Sequence, residues 1–383
     1  MAIISNSTNR LTPLEASRGI AAMIVLGHHF LLAFLPSFEP RIIGRWYYVF
    51  VNGTGAVHFF FVLSGFVLCW AYFKTGDVNR LKEGFFKRLP RLAAPVLITT
   101  IASYFLFHFD LYSFALAGKL SESTWLSTFG GALKPDFHPS LSEAVVQGLT
   151  TFFTGDPNYN INLWTMKPEF MGSMLVFVLA AFLLLVLNFQ FLKISFVLLS
   201  FWGLEMYSDI FPFIAGIFLA AILAKQSRKM SIVQGLLLIG LGFYLLGYAV
   251  PDKSYSWLKY LMYMNLPAGK VEIVIHSLGA AMIIFAIMTN SRIYDFLNNR
   301  FCKYLGIFSF PLYLVHTLVI CSFSSYLYLL FSQTDASQSL SLSGLFGLTM
   351  LASIVVSVPI VLFDKYWVNL INRYVRQLFK TAG

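Results

Sequence analysis

Charge is scarce in this chain. Only 11% of its 383 residues are Asp, Glu, Lys or Arg, while 58% are hydrophobic and the mean hydropathy is +0.72. Soluble domains carry about a quarter of their residues as charges, so a water-soluble globule of this length is excluded. Cysteine is nearly absent. Cys69, Cys302 and Cys321 have no CxxC spacing and fall in apolar segments or on the side predicted to be cytoplasmic, which argues against a disulfide framework. The histidines lack ligand spacing such as HxxxH, so no catalytic metal is expected. The strand alternation of a membrane barrel is missing, as are fixed-period repeats and low-complexity tracts. No cleavable signal peptide is expected either, because the first apolar segment is too long and lacks a small-residue cleavage site.

What is present is a series of long apolar segments. They predict an all-α, polytopic integral membrane helix bundle with about ten transmembrane helices, near residues 17–36, 56–73, 91–109, 169–188, 191–204, 210–224, 231–250, 270–289, 306–331 and 343–363. The fifth and sixth are short. With the N-terminus inside, 19 of the 27 Lys and Arg residues fall on the cytoplasmic side, which fits an even number of spans and two cytoplasmic termini. The net charge of +10 is therefore sorted by membrane side and forms no single patch for nucleic acid. The chain reads as one domain, 1–383, with no appended soluble domain. Its longest polar interval, about 110–165, is expected as an extracytoplasmic loop. Trp125, His138, Asp156, Asn158, Asn160 and Asn162 in that interval suit sugar hydroxyls but are also ordinary loop residues. The apolar run 145–153 is too short to span and is expected as an interfacial or re-entrant helix.

Inside the first span lie Arg18 and His29, eleven residues apart. At about 100° per residue they return to nearly one helix face, roughly 16 Å apart along the axis. Charged and titratable groups within a membrane helix generally line a functional cavity, although Arg18 alone also suits a helix anchor. His28 points about 100° away from His29. At the cytoplasmic start of the third span, Arg88 and Arg91 form an RxxR pair whose planar forks suit phosphate oxygens. A juxtamembrane basic cluster also serves topology or anionic lipid. Together with Arg18 it would make a site for a multiply phosphorylated cofactor.

Five ordered segments resemble membrane-bound acyltransferase family 3, whose members move acetyl or other acyl groups onto surface glycans and related acceptors. Leu14 to His29 resembles its opening signature of arginine, ten residues and histidine. Phe59 to Phe66 resembles FFxLSGF, and Arg88 to Arg91 its RxxR. Leu163 to Phe170 resembles W-S-L-x-x-E-W, and Leu305 to His316 the late L-G-x-x-S-Y-x-x-Y-L-x-H segment. Glu15, Thr165 and Phe310 depart from the usual Asp, Ser and Tyr, and Glu15 preserves the charge.

The resemblance implies an O-acyltransferase, in particular an O-acetyltransferase, of the plasma (bacterial inner) membrane. Its donor would be cytoplasmic acetyl-CoA or another acyl-CoA, with no permanently bound cofactor. Its partners would be a glycan or lipid-linked saccharide acceptor and the surrounding membrane lipids. His29 is the candidate base. Arg18, Arg88 and Arg91 are the candidate phosphate ligands. Glu169, at the outer end of the fourth span, would orient the histidine or bind acceptor, with a structural ion pair as the alternative. His316 is a second proton-transfer candidate, with Tyr313 on its face. Ser64 has no GxSxG around it and reads as part of a packing motif with Gly65. A transporter or flippase, or a relative acting on a lipid, secondary metabolite or amine, are the competing functions.

Overall fold

The computed structural model describes residues 11–134, 136–185, 194–195, 198–200, 202–203, 208–225, 229–249, 255, 267–332 and 338–381. Among them every regular element is helical. The principal helices are α1 (Thr12–Phe34), α2 (Gly53–Thr75), α3 (Val78–His108), α4 (Leu141–Thr154) and α5 (Met166–Leu185). They are followed by α6 (Phe211–Lys225), α7 (Ile232–Leu246), α8 (Ala268–Thr289), α9 (Arg300–Val319) and α10 (Gln338–Thr381). Seven helical segments among the described residues are long and apolar enough to cross a bilayer: α1, α2, α3, Ile161–Leu183, Gly269–Thr289, Arg300–Phe331 and Leu342–Leu378. The shorter apolar helices α6 and α7 coincide with two further expected spans. The span expected at 191–204 lies largely outside the described residues.

Local chemistry sets several of the helix ends. Asn52 caps α2 by accepting from the Gly55 N–H, and Gly76 ends it at φ +71°, a conformation that side chains disfavour. Ser140 and Gly155 do the same for α4, with Gly155 at φ +74°. Asn299 caps α9 through the Cys302 N–H.

Small residues set the helix crossings that position the site. α1 and α9 run side by side in the same direction, with Glu15 against Gly306, Gly19 against Leu305, and His29 beside His316. A Cβ on Gly306 would come within 2.5 Å of the Glu15 Cβ, so the two backbones meet only because that side chain is absent. α2 crosses α6 in the same manner. A Cβ on Gly216 would lie 2.1 Å from the Val62 carbonyl, and one on Gly65 2.3 Å from the Phe213 carbonyl.

The 110–165 interval is not an open loop. It folds into short helices Phe114–Leu120 and Thr124–Ser127 and the non-spanning α4, which lies against α3 through Gly148, Leu97 and Thr100. The chain then turns into the bundle, and Tyr159, Asn160, Ile161, Asn162 and Leu163 are buried. Asn160 donates to the Leu314 carbonyl at 2.8 Å, and Asn162 donates to the Tyr313 carbonyl at 2.8 Å. Two of the amides that made this stretch look like a loop thus donate to the backbone of α9, which lowers the penalty for burying them.

Helix α10 has 44 residues and so extends about 66 Å, against roughly 30 Å of hydrocarbon. Its later part lies along α3, where the Trp367 indole donates to the Pro90 carbonyl at 2.8 Å.

Candidate active site

The site is built where α1 and α9 converge. His29 Nδ1 lies 2.8 Å from His316 Nε2. The ring planes are 12° apart and the centroids 5.1 Å apart, which is the in-line N···N distance plus two ring radii. The rings therefore meet edge to edge. His316 Nδ1 is 3.1 Å from the Leu312 carbonyl, which can only accept. Nδ1 of a neutral His316 must then carry the proton, leaving Nε2 to accept from His29 Nδ1–H. This chain leaves the lone pair of His29 on Nε2. A carbonyl, an orienting imidazole and a second imidazole with an available nitrogen form the arrangement that general-base chemistry needs.

His316 is fully buried, and its neighbour Tyr313 has its ring centroid 5.9 Å away. The Tyr313 hydroxyl is 2.7 Å from Thr165 Oγ1 and donates to the Asn162 carbonyl at 3.2 Å. Asn162 also donates to Thr317 Oγ1 at 2.8 Å. The turn before α5 therefore clamps the α9 segment that carries His316. His28 faces elsewhere: its Nδ1 is 3.0 Å from the Val51 carbonyl, and its ring lies against Gly53, as the helix phase predicts.

Glu169 and Arg88 are not at opposite membrane faces, where the sequence reading puts them. They form a mostly buried ion pair through Arg88 Nη2 and Glu169 Oε1. The same carboxylate oxygen accepts from Ser64 at 2.8 Å, and Arg88 Nε donates to Ser173 Oγ at 2.9 Å. The difference has a simple cause. Arg88 sits ten residues, about 15 Å, up α3, and α5 begins inside the bundle after the buried Ile161–Thr165 turn. Glu169 thus has Arg88, Ser64 and Ser173 as its surroundings, and the group orienting His29 is His316. The pairing also commits Arg88 to protein partners. Ser64, read from sequence as a packing residue, holds this carboxylate as well.

Arg18 is 3.7 Å from Glu15 one turn away, and both side chains stay about a quarter exposed. The positive charges of Arg91 and Arg18 both act on Arg88, so the three guanidinium groups share one electrostatic neighbourhood. Arg91 is exposed.

Two further features carried little signal in sequence. Trp125, from the folded insert, lies nearly parallel to the His29 ring at 5.1 Å. His58 and His276 form a second buried pair, Nδ1 to Nδ1 at 2.9 Å, with His276 Nε2 donating to the Tyr248 carbonyl at 2.9 Å. Both pairs join residues far apart in the chain, which no spacing rule finds. Cys69, Cys302 and Cys321 are buried and unpaired with one another, as packing residues.

The chain matches the acyltransferase domain of acyltransferase family 3 over residues 13–362, a range that holds all five sequence segments and every residue of the site. No curated protein and no solved structure gives a significant match. A helical membrane bundle with this match across nearly its whole length belongs to acyltransferase family 3 and is a membrane acyltransferase.

Proposed function

We propose that this protein is an O-acetyltransferase of the bacterial inner membrane that uses cytoplasmic acetyl-CoA to esterify a hydroxyl of a cell-envelope glycan. The observation that carries the reading is the Leu312–His316–His29 chain, which leaves a basic nitrogen on the helix that also bears Arg18. In the reaction the acceptor oxygen attacks the thioester carbonyl while His29 Nε2 takes its proton. The C–O bond forms, the C–S bond breaks, and the proton passes to the departing thiolate. His316 holds the tautomer.

Both termini lie in the cytoplasm in this reading. Arg18 and Arg91 hold the nucleotide phosphates from the inner side, and Arg88 braces the site through Glu169. The roughly 16 Å from Arg18 to His29 suits the extended pantetheine arm of the donor. Family membership and the polar residues of the folded insert support a hydroxylated acceptor such as a glycan or lipid-linked saccharide.

Mass spectrometry of envelope glycans from cells with and without the gene tests the acceptor class. A difference of one acetyl group is expected, and identical glycan masses would overturn the assignment.

A further inference from the structure

Trp125 sits on a tightly held turn beside the candidate base. Its short helix is tied to the carbonyl end of α1: Ser123 Oγ donates to the Leu32 carbonyl at 2.5 Å and Ser121 Oγ to the Ala33 carbonyl at 2.7 Å. These are carbonyls from the last turn of α1, which has no helical donors left for them. The flanking backbone is wound unusually tightly. Glu122 and Phe129 adopt φ of +57° and +53°, a region that residues other than glycine rarely occupy, and Gly130 follows at +65°. The Gly130 N–H closes the turn on the Trp125 carbonyl at 2.6 Å. A side chain on Gly130 would come within 2.8 Å of Ile161 and 3.2 Å of the Trp125 indole nitrogen.

The apolar anchoring of this turn is supplied by Leu126 and Phe129, both fully buried beside Phe30 and Phe34. Trp125, half-buried, packs at the edge of the same cluster, and its ring also lies beside the base. Backbone strain and two serine ties thus hold one aromatic ring beside His29 and nearly parallel to it.

We infer that Trp125 sets the selectivity of the enzyme for its acceptor over water, by flanking His29 on the side from which the folded insert reaches it. The inference rests on the acyltransferase reading above. Transfer and hydrolysis differ only in whose oxygen forms the new C–O bond as the C–S bond breaks. In each case the proton goes to His29 Nε2 and on to the thiolate, giving an ester from the acceptor hydroxyl or a free acid from water. Water is small and abundant, so only exclusion separates the two outcomes. A broad apolar ring beside the base denies water a resting place. It also offers a flat face to the C–H groups of a pyranose ring that replaces it.

The test uses the full-length protein in lipid nanodiscs with acetyl-CoA and no acceptor, reading thiol release. Membrane vesicles containing native envelope glycans and labelled acetyl-CoA report transfer. Trp125→Ala is expected to raise the ratio of hydrolysis to transfer by about tenfold, and Trp125→Phe to restore it towards wild type. Ser123→Ala, which loosens the tie and keeps the ring, gives a smaller rise in the same direction and serves if Trp125→Ala does not fold. An unchanged ratio in the folded variants, including an equal fall in both rates, overturns the inference and leaves the acyltransferase reading intact. A wild-type protein that neither releases thiol nor transfers label overturns the donor assignment and the inference with it.

Discussion

His29 and His316 are 287 positions apart in the chain and share one hydrogen bond of 2.8 Å. Its direction is set by the Leu312 carbonyl beyond His316, so the two imidazoles have unequal roles. In the proposed mechanism His29 is the base, and His316 is the group that holds its tautomer.

This inequality predicts a graded mutational series. His29→Ala should lower acyl transfer by about 10²- to 10⁴-fold with the protein still inserted and folded. His316→Gln should retain more activity than His316→Ala, because the amide oxygen can still accept from His29 Nδ1–H. His28→Ala should do much less, since that ring is turned to Val51 and Gly53. Rates of acyl transfer in membranes check the order. Near-normal transfer by His29→Ala would remove it from the mechanism.

The Arg88–Glu169 pair predicts a different signature. Removing either partner leaves a charge inside the bundle without its counter-ion, at a cost of about 3–5 kcal/mol, whereas Arg88→Met with Glu169→Leu should recover much of that loss. Thermal unfolding of the detergent-solubilised single and double variants measures this. Additive losses would show that the two side chains act independently.

For donor binding, Arg18→Lys and Arg91→Lys should weaken CoA affinity by about tenfold despite keeping the charge, because an ammonium cannot reproduce a bidentate fork. Arg88→Lys should act chiefly on stability, since its guanidinium already holds Glu169 and Ser173. Titration of purified variants with CoA distinguishes the two behaviours, and binding should also weaken as salt rises. Unchanged affinity for Arg18→Lys and Arg91→Lys would leave these arginines as topology anchors.

Gly216→Val should disrupt the crossing of α2 and α6, because its Cβ would meet the Val62 carbonyl at 2.1 Å, backbone that cannot swing aside. Loss of a monodisperse peak on size-exclusion chromatography is the expected result. A well-folded Gly216→Val protein would contradict the close approach.

Sidedness is checked by labelling single cysteines introduced into a background lacking Cys69, Cys302 and Cys321. Positions 80 and 376 should react from the cytoplasm, and position 116, on the folded insert, from the opposite side. Labelling of position 116 only from the cytoplasm would invert the proposed path of the acyl group.

Much of this molecule is set by the sequence alone. Apolar run lengths place α1, α2, α3, α5 and α8 to α10 because lipid demands a continuous apolar helix wherever it is met. Helix phase separates His29 from His28, since neighbouring residues must point about 100° apart. The order of five short segments carries the family. What only the tertiary structure decided is which polar groups share a depth and a partner. Glu169 looks like an outer-edge residue because hydropathy measures an average over a window, and an average does not register that α5 starts inside the protein. Asn160 and Asn162 look like loop residues because their burial depends on the Tyr313 and Leu314 carbonyls about 150 positions away. The His29–His316 bond, the His58–His276 pair and the placement of Trp125 have the same origin. Each depends on the close approach of different helices or turns, and a one-dimensional pattern records how a residue suits its surroundings without naming what those surroundings are.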